Sequence, residues 1–208
     1  MVDTSLDHLV KHLTGRAQTH SQPLVLAIDG RSGVGKSTLA TGLATRTNAL
    51  LISGDDFYRG GVTLRHDSAK ELTEDCIDWR AQRRILTTLR NRANAHYYSF
   101  DWAAFDGSLA ATPVHLSPRP LIILEGVYSA RPELSDLIDL ALLVEASPPL
   151  RTKRLIAREG TIGPWERQWH RAEDWYFGQA APSNRFDCIV ASRPKSWLVL
   201  RPFPIDAA

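Results

Sequence analysis

The sequence predicts an α/β fold: a three-layer sandwich built on a doubly wound, mainly parallel sheet, closed by a helical lid. Three observations carry that expectation. Leu24-Val25-Leu26-Ala27-Ile28 is a short apolar, β-branched run, the signature of a strand buried on both faces. It leads into Gly30-Arg31-Ser32-Gly33-Val34-Gly35-Lys36-Ser37, which fits the phosphate-binding pattern G-x-x-x-x-G-K-[ST] at every fixed position. Strand-like and helix-like stretches then alternate along the rest of the chain, which gives a parallel sheet.

The elements follow in order. Residues 5–16 read as an amphipathic helix with Leu6, Leu9, Val10 and Leu13 on one face and Gly15 near its end. After the first strand (about 24–29) and the glycine loop, Leu39, Ala40, Leu43 and Ala44 recur at helical spacing. Residues 48–53 form the next strand and run into Gly54-Asp55-Asp56-Phe57-Tyr58. From Glu74 to Asn91 the period of Ile77, Ala81, Ile85 and Leu89 predicts one long helix, with Asp75 and Asp78 near its start, where acidic groups suit the helix dipole. Residues 94–119 have no clean period and read as a surface loop or short ribbon. Leu121–Leu124 is a central strand ending in Glu125-Gly126, and Asp139–Glu145 is another. A helix from Leu150 to Glu159 carries Arg151, Arg154 and Arg158 and stops at Gly160. Pro164 opens a further helix, Cys188-Ile189-Val190 is a core strand, and Trp197–Leu200 is an edge strand.

At 208 residues one domain, 1–208, is expected, with the lid at about 150–180. A hydrophobic fraction of 43% and a net charge of +2 describe a soluble protein with no strongly basic footprint, so no nucleic-acid partner is expected. The basic run from Arg80 to Arg92 is read as a solvated helix face. No apolar run is long enough to cross a membrane. Cys76 and Cys188 lack metal-type spacing and are expected buried and reduced, in a cytoplasmic protein. A homo-oligomer is compatible with the sequence.

The glycine loop carries the chemistry. Phosphate oxygens bind backbone N–H groups at a helix N-terminus, and glycines let the backbone approach without a Cβ in the way. Gly30, Ser32, Gly33, Val34, Gly35, Lys36, Ser37 and Thr38 are therefore the candidate ATP-binding residues, with Lys36 on the β- and γ-phosphates and the Ser37 hydroxyl on Mg²⁺. His8 and His12 stand at metal-ligand spacing with His20 beyond, but no carboxylate or cysteine set accompanies them. Trp165, Trp169 and Tyr176 make an aromatic stripe, which reads as core packing or as a cover for the acceptor.

Ile52-Ser53-Gly54-Asp55-Asp56-Phe57-Tyr58-Arg59 resembles the S-x-D-x-F-Y segment of the uridine–cytidine kinase family, the P-loop kinases related to phosphoribulokinase. Leu121–Gly126 is similar to that family's strand ending in Glu-Gly, and Arg151, Arg154 and Arg158 match the spacing of its arginine-bearing lid helix. The resemblance spans about residues 24–191. It implies an ATP- and Mg²⁺-dependent small-molecule kinase whose acceptor is a nucleoside, with a pantothenate-like, nicotinamide riboside-like or sugar alcohol as the alternative within the class. From a different class, a non-catalytic ATP-binding regulatory module is the alternative.

Residue by residue, the resemblance makes Asp55 the base or aligner of the acceptor hydroxyl. Asp56 competes for that role, and Asp55 is favoured because successive strand-end side chains point opposite ways. Glu125 would hold Mg²⁺ with Ser37, or else cap the following turn. Tyr58 would line the acceptor pocket, or else sit in the core. Asp78 would grip the acceptor, or else be a helix-start acid. Arg158 is the leading lid arginine and Arg154 the next, while Arg151 is left to a solvated face. Phe100 and Phe105 stand where nucleoside-specific relatives carry a tyrosine and a histidine that serve pyrimidine recognition, so the match implies poor use of uridine and cytidine. The lid loop Gly160–Pro164 lacks the arginines of its relatives, and Arg167 is the nearby substitute.

Overall fold

The computed structural model describes residues 4–60 and 68–204. A six-stranded sheet runs through the molecule: β1 (Leu24–Asp29), β2 (Leu50–Ser53), β5 (Leu121–Glu125), β6 (Leu140–Glu145), β7 (Cys188–Ser192) and β8 (Trp197–Arg201), in the order β2-β5-β1-β6-β7-β8. All neighbours are parallel except β7 and β8, so the predicted edge strand is present and antiparallel. β3 (Ala95–Tyr97) and β4 (Val114–Leu116) form the separate short ribbon. β1 is central and every one of its residues is buried, as its unbroken apolar sequence requires.

Helices cover both faces. α1 (Thr4–Thr19) and α2 (Lys36–Thr47) pack on one side, where Leu9, Leu13, Leu39 and Leu43 join the strand residues Leu26 and Ile28. α3 (Ala69–Asp75), α4 (Trp79–Arg90) and α6 (Pro164–Trp175) supply the other core with Leu72, Ile85, Leu89 and Ala172. α5 (Pro148–Glu159) lies over the carboxyl end of the sheet. Gly160 ends it at φ 78°, as predicted.

Two elements differ from expectation. α1 runs through Gly15 to Thr19, whose hydroxyl bonds back to the carbonyls of Gly15 and Arg16. The helix expected over 74–91 is broken at Cys76–Asp78. There the chain pairs with the segment after β2: Tyr58 bridges Ile77, Arg59 N–H donates to Cys76, and Asp78 N–H donates to Phe57. Asp78 then begins α4 as its N-cap, accepting from Ala81 N–H at 2.9 Å.

The topology fixes where a ligand can bind. The chain leaves β1 and returns two positions away as β2, while β6 lies on β1's other side. The order therefore reverses beside β1, and the crevice at such a switch opens at the strands' carboxyl ends. The ends of β1, β2 and β5 and the loops after them meet there. Cys76 and Cys188 are both buried thiols, neither in a disulfide.

Candidate active site

A cavity of about 860 Å³ opens at that crevice. Its floor is the glycine loop. Gly30, at φ 146°, passes so close to β6 that a Cβ would stand 2.3 Å from the Val144 carbonyl oxygen. Gly33, at φ 80°, packs on α5, where a Cβ would meet Leu155 at 2.9 Å. Only glycine suits both the conformation and the space. Lys36 is buried at the start of α2, its Nζ donating to the Arg31 carbonyl at 3.2 Å. The Ser37 hydroxyl donates to Glu125 Oε2 at 3.3 Å.

Three acids lie on or behind this floor, and of them Asp55 lines the cavity. Glu125 ends β5 and caps no helix; its carboxyl points at Ser37. Burial raises its pKa above the ordinary carboxylate range, Lys36 opposes that rise, and Asp55 adds to it. Asp55 is open to the cleft, yet the surrounding walls raise its pKa too, against the attraction of Lys36 and then Arg158. Asp29, fully buried at the end of β1, is pushed up to about 6 by desolvation. It accepts from the N–H groups of Gly30, Tyr128 and Ala130 and from the Tyr176 hydroxyl. That set of bonds ties the start of the glycine loop to the turn after β5.

Asp55 and Asp56 diverge, although they lie on a 3-10 turn, Gly54–Phe57, rather than on a strand end. Asp56 faces away from the glycine loop into a separate cavity and accepts from the Tyr97 hydroxyl at 2.7 Å. Asp78 lines that second cavity as well and is occupied as a helix cap, so the structure does not bring it to the glycine loop.

The far end of the main cavity is aromatic. Tyr58 and Phe105 line it with Trp102, Trp165 and Trp169. Tyr58, Trp102 and Phe105 lie nearly parallel, while Trp165 stands at 80° and 81° to Tyr58 and Phe105. Phe105 holds φ 50°, unusual for a bulky residue, at the end of a turn that Asp101 fastens through Ala103 and Ala104. Phe100 is not on the cavity wall. It is buried behind Tyr58, edge-on at 4.9 Å.

α5 and α6 form the roof. Arg158 is exposed at the cavity rim and pairs with Glu159. Arg154 donates to the Val34 carbonyl at 2.8 Å and to the Ser192 hydroxyl at 2.9 Å. Arg151 is no solvated side chain: its Nε donates to the Ser32 carbonyl at 2.7 Å and its NH2 to Glu173 at 2.6 Å. Ser32 gives both its N–H and its hydroxyl to Glu173, so neither is turned to the cavity. Tyr176 of the aromatic stripe lies in the core against Tyr128, whereas Trp165 and Trp169 reach the cavity. The β7–β8 turn contributes Arg193 and Lys195, and the start of β8 contributes Trp197.

Asp29, Glu173 and Trp102 carry no role in the sequence reading, and Arg151 is left there to a solvated face. Arg151 shares a helix face with Arg154, and Glu173 stands one turn after Trp169; those spacings were the available signals. Among the described residues no group of three His, Cys, Asp or Glu could hold a metal ion, and His12 stacks on Phe203 at 4.9 Å. No described helix is long and apolar enough to cross a membrane.

Comparison with known proteins bears on what this cavity does. No family model matches the chain. The uridine kinase of Limosilactobacillus reuteri is 27% identical over 149 residues, covering 68% of this chain and 67% of its own length. That of Oceanobacillus iheyensis is 25% identical over 173 residues, covering 80% of each. The chain is thus similar in sequence to the uridine kinases over two thirds or more of its length. Among solved structures, a possible uridine kinase from Bacillus stearothermophilus superposes with a TM-score of 0.65 at 22% identity, covering 89% of this chain and 98% of its own. D-glycerate 3-kinase from Cryptococcus neoformans superposes with a TM-score of 0.59 at 13% identity, covering 95% and 98%. The fold is that of the P-loop kinases. With the phosphate loop in place, the relationship supports an ATP-dependent kinase for a small metabolite.

Proposed function

We propose that the protein transfers the γ-phosphoryl group of ATP to a hydroxyl of a small alcohol, with a nucleoside as the leading acceptor class. The observation that carries this reading is one cavity with Lys36, Ser37 and Asp55 at one end and a ring-lined wall at the other. A triphosphate on the glycine loop and an acceptor against the rings would bring the hydroxyl to Asp55.

Phosphoryl transfer asks the protein mainly for positioning and charge compensation. Lys36 and the loop amides would hold the phosphates. Asp55 would orient the acceptor hydroxyl and take its proton as the new O–P bond forms and the bond to the ADP leaving group breaks. A carboxyl with a raised pKa is a better proton acceptor near neutral pH than an ordinary aspartate. Arg158, at the rim, would close over the transferring group.

The oxygens of Ser37 and Glu125 suit a hard divalent cation such as Mg²⁺: both are oxygen donors, already adjacent, and the buried carboxyl gains from a positive neighbour. When bound there, the metal would neutralise phosphate charge. The cytoplasm, where ATP and reduced thiols coexist, fits this reading and the reduced, buried thiols of Cys76 and Cys188.

An ADP-release assay with a panel of nucleosides, vitamins and sugars tests the proposal. The expected result is turnover that depends on one acceptor class. ATP binding with no acceptor-dependent turnover would instead favour a regulatory module.

A further inference from the structure

Ser32 is gripped from the roof at all three of its polar groups. Glu173 Oε1 takes its N–H at 2.8 Å and its hydroxyl at 2.5 Å, and Arg151 Nε donates to its carbonyl at 2.7 Å. A peptide unit is planar and trans, so holding the Ser32 carbonyl also fixes the opposite direction of the Gly33 N–H. Gly33 lines the phosphate end of the cavity. The grip therefore sets the orientation of a loop amide.

The same carboxylate reaches the aromatic end. Trp169 Nε1 donates to Glu173 Oε1 at 2.9 Å and approaches the Ser32 hydroxyl at 3.0 Å. Its ring lies parallel to Trp165 at 5.8 Å and meets Tyr58 edge-on at 5.9 Å, both in the cavity wall. One indole thus touches the rings on one side and the phosphate loop on the other. Glu173 is fully buried, with four donors directed at it. A buried charge so fully bonded is weak as a stabiliser but rigid in geometry, because any displaced partner leaves it under-satisfied.

We propose that Trp169 and Glu173 are positioning residues that couple the two ends of the cavity, so that occupancy of either end strengthens binding at the other. The inference rests on the kinase reading above. A molecule packed on the rings holds the Trp169 indole in place. The indole and Glu173 hold Ser32, and Ser32 orients the loop. Coupling of this kind is reciprocal, so a triphosphate bound at the loop must also be felt at the rings.

The test uses the full chain, the non-hydrolysable ATP analogue AMP-PNP with magnesium, and the assigned indole N–H signals of the tryptophans by NMR. In the wild type, AMP-PNP should shift the signals of Trp165 and Trp102, neither of which is bonded to the loop. Trp169→Phe keeps a ring in the wall but removes the N–H. Glu173→Gln removes the charge. In both variants the Trp165 and Trp102 responses should largely vanish, and AMP-PNP affinity should fall by about three- to thirty-fold. If Glu173→Gln fails to fold, Trp169→Phe decides alone. Wild-type responses and affinity in a folded Trp169→Phe would overturn the coupling and leave the kinase reading intact. Failure of the wild type to bind AMP-PNP at all would overturn both.

Discussion

The two ends of the main cavity are built on opposite principles. The phosphate end is contiguous in sequence: eight residues, Gly30 to Ser37, present backbone amides, one lysine and one hydroxyl, and few of them could be exchanged. The aromatic end is assembled from three separate segments that contribute Tyr58, Trp102 with Phe105, and Trp165 with Trp169. Its rings are held by packing, and an exchange there alters shape rather than abolishing the chemistry. On the proposed function, the first end would set which reaction occurs and the second on what. The contrast predicts large losses at the phosphate end and changes of preference at the other.

The largest effect is expected from Lys36→Ala. It removes a charge from the phosphates at the edge of the hydrophobic core, so turnover should fall by about 10²- to 10³-fold or more while the far-UV spectrum and melting behaviour stay close to wild type. Near-normal turnover in a folded Lys36→Ala protein would show that the loop is not the phosphate site, and the contrast would collapse.

Asp55→Asn comes next. With the proton acceptor gone, kcat should fall by about 10²-fold or more with ATP affinity preserved, and Asp56→Asn should be milder because Asp56 is committed to Tyr97. The pH profile supplies an independent check. Asp55 must be ionised to accept a proton, and its pKa is raised from the ordinary 3.8 chiefly by desolvation from the walls around it. Activity should therefore be full above the raised pKa and drop as pH falls through it, at a higher pH than an ordinary aspartate would give. Asp55→Asn should lose that acidic limb. If Asp56→Asn proves the more damaging, the assignment within the 3-10 turn is reversed.

How much of each end was legible in the sequence follows from the same contrast. The glycine loop, β1, β5 with Glu125, and the helix stop at Gly160 were readable because each signal is local: a fixed spacing, an apolar run, a terminator. That Asp55 rather than Asp56 faces the glycine-loop cavity was readable too, although by a strand-end argument where a 3-10 turn does the separating. What escaped depends on long-range pairing. Arg151 was assigned to solvent because its partner Ser32 lies 119 residues away, and Glu173 meets the same serine across 141. The helix expected over 74–91 failed at Ile77 for a related reason. Ile77 is buried, as its helical period suggested, but in a bridge to Tyr58 rather than on a helix face. Periodicity reports that a residue is buried and is silent about what buries it.

A smaller effect at the phosphate end concerns the metal. Glu125→Gln keeps the size and the hydrogen bond with Ser37 but halves the oxygens able to serve a cation. The Mg²⁺ concentration for half-maximal turnover should rise by about tenfold, with maximal turnover at saturating metal less affected. An unchanged Mg²⁺ requirement would remove Glu125 from the metal site and leave its carboxyl as a partner of Ser37 alone.

The smallest and most discriminating change lies at the aromatic end. Phe105 faces the cavity and carries no hydrogen-bonding group, whereas Phe100 is buried behind Tyr58 at 3% exposure. At this position a ring face gains stacking with a heterocycle but reads none of its edge, so uridine and cytidine should be poor acceptors. Phe105→His adds a donor or acceptor to the wall and should raise kcat/KM for uridine by about three- to tenfold, the scale of one net hydrogen bond. Phe100→Tyr alone should do little for uridine and should lower stability, since its hydroxyl would enter a close-packed ring cluster with no partner provided. Competition assays between uridine and the best acceptor of the panel, run on both variants, separate these outcomes. Should the unmodified protein phosphorylate uridine efficiently, the base edge must be read by groups other than the residue at 105. Should Phe100→Tyr gain where Phe105→His does not, the acceptor enters from behind Tyr58, through the second cavity that holds Asp56 and Asp78, and the aromatic wall is a lid rather than a pocket.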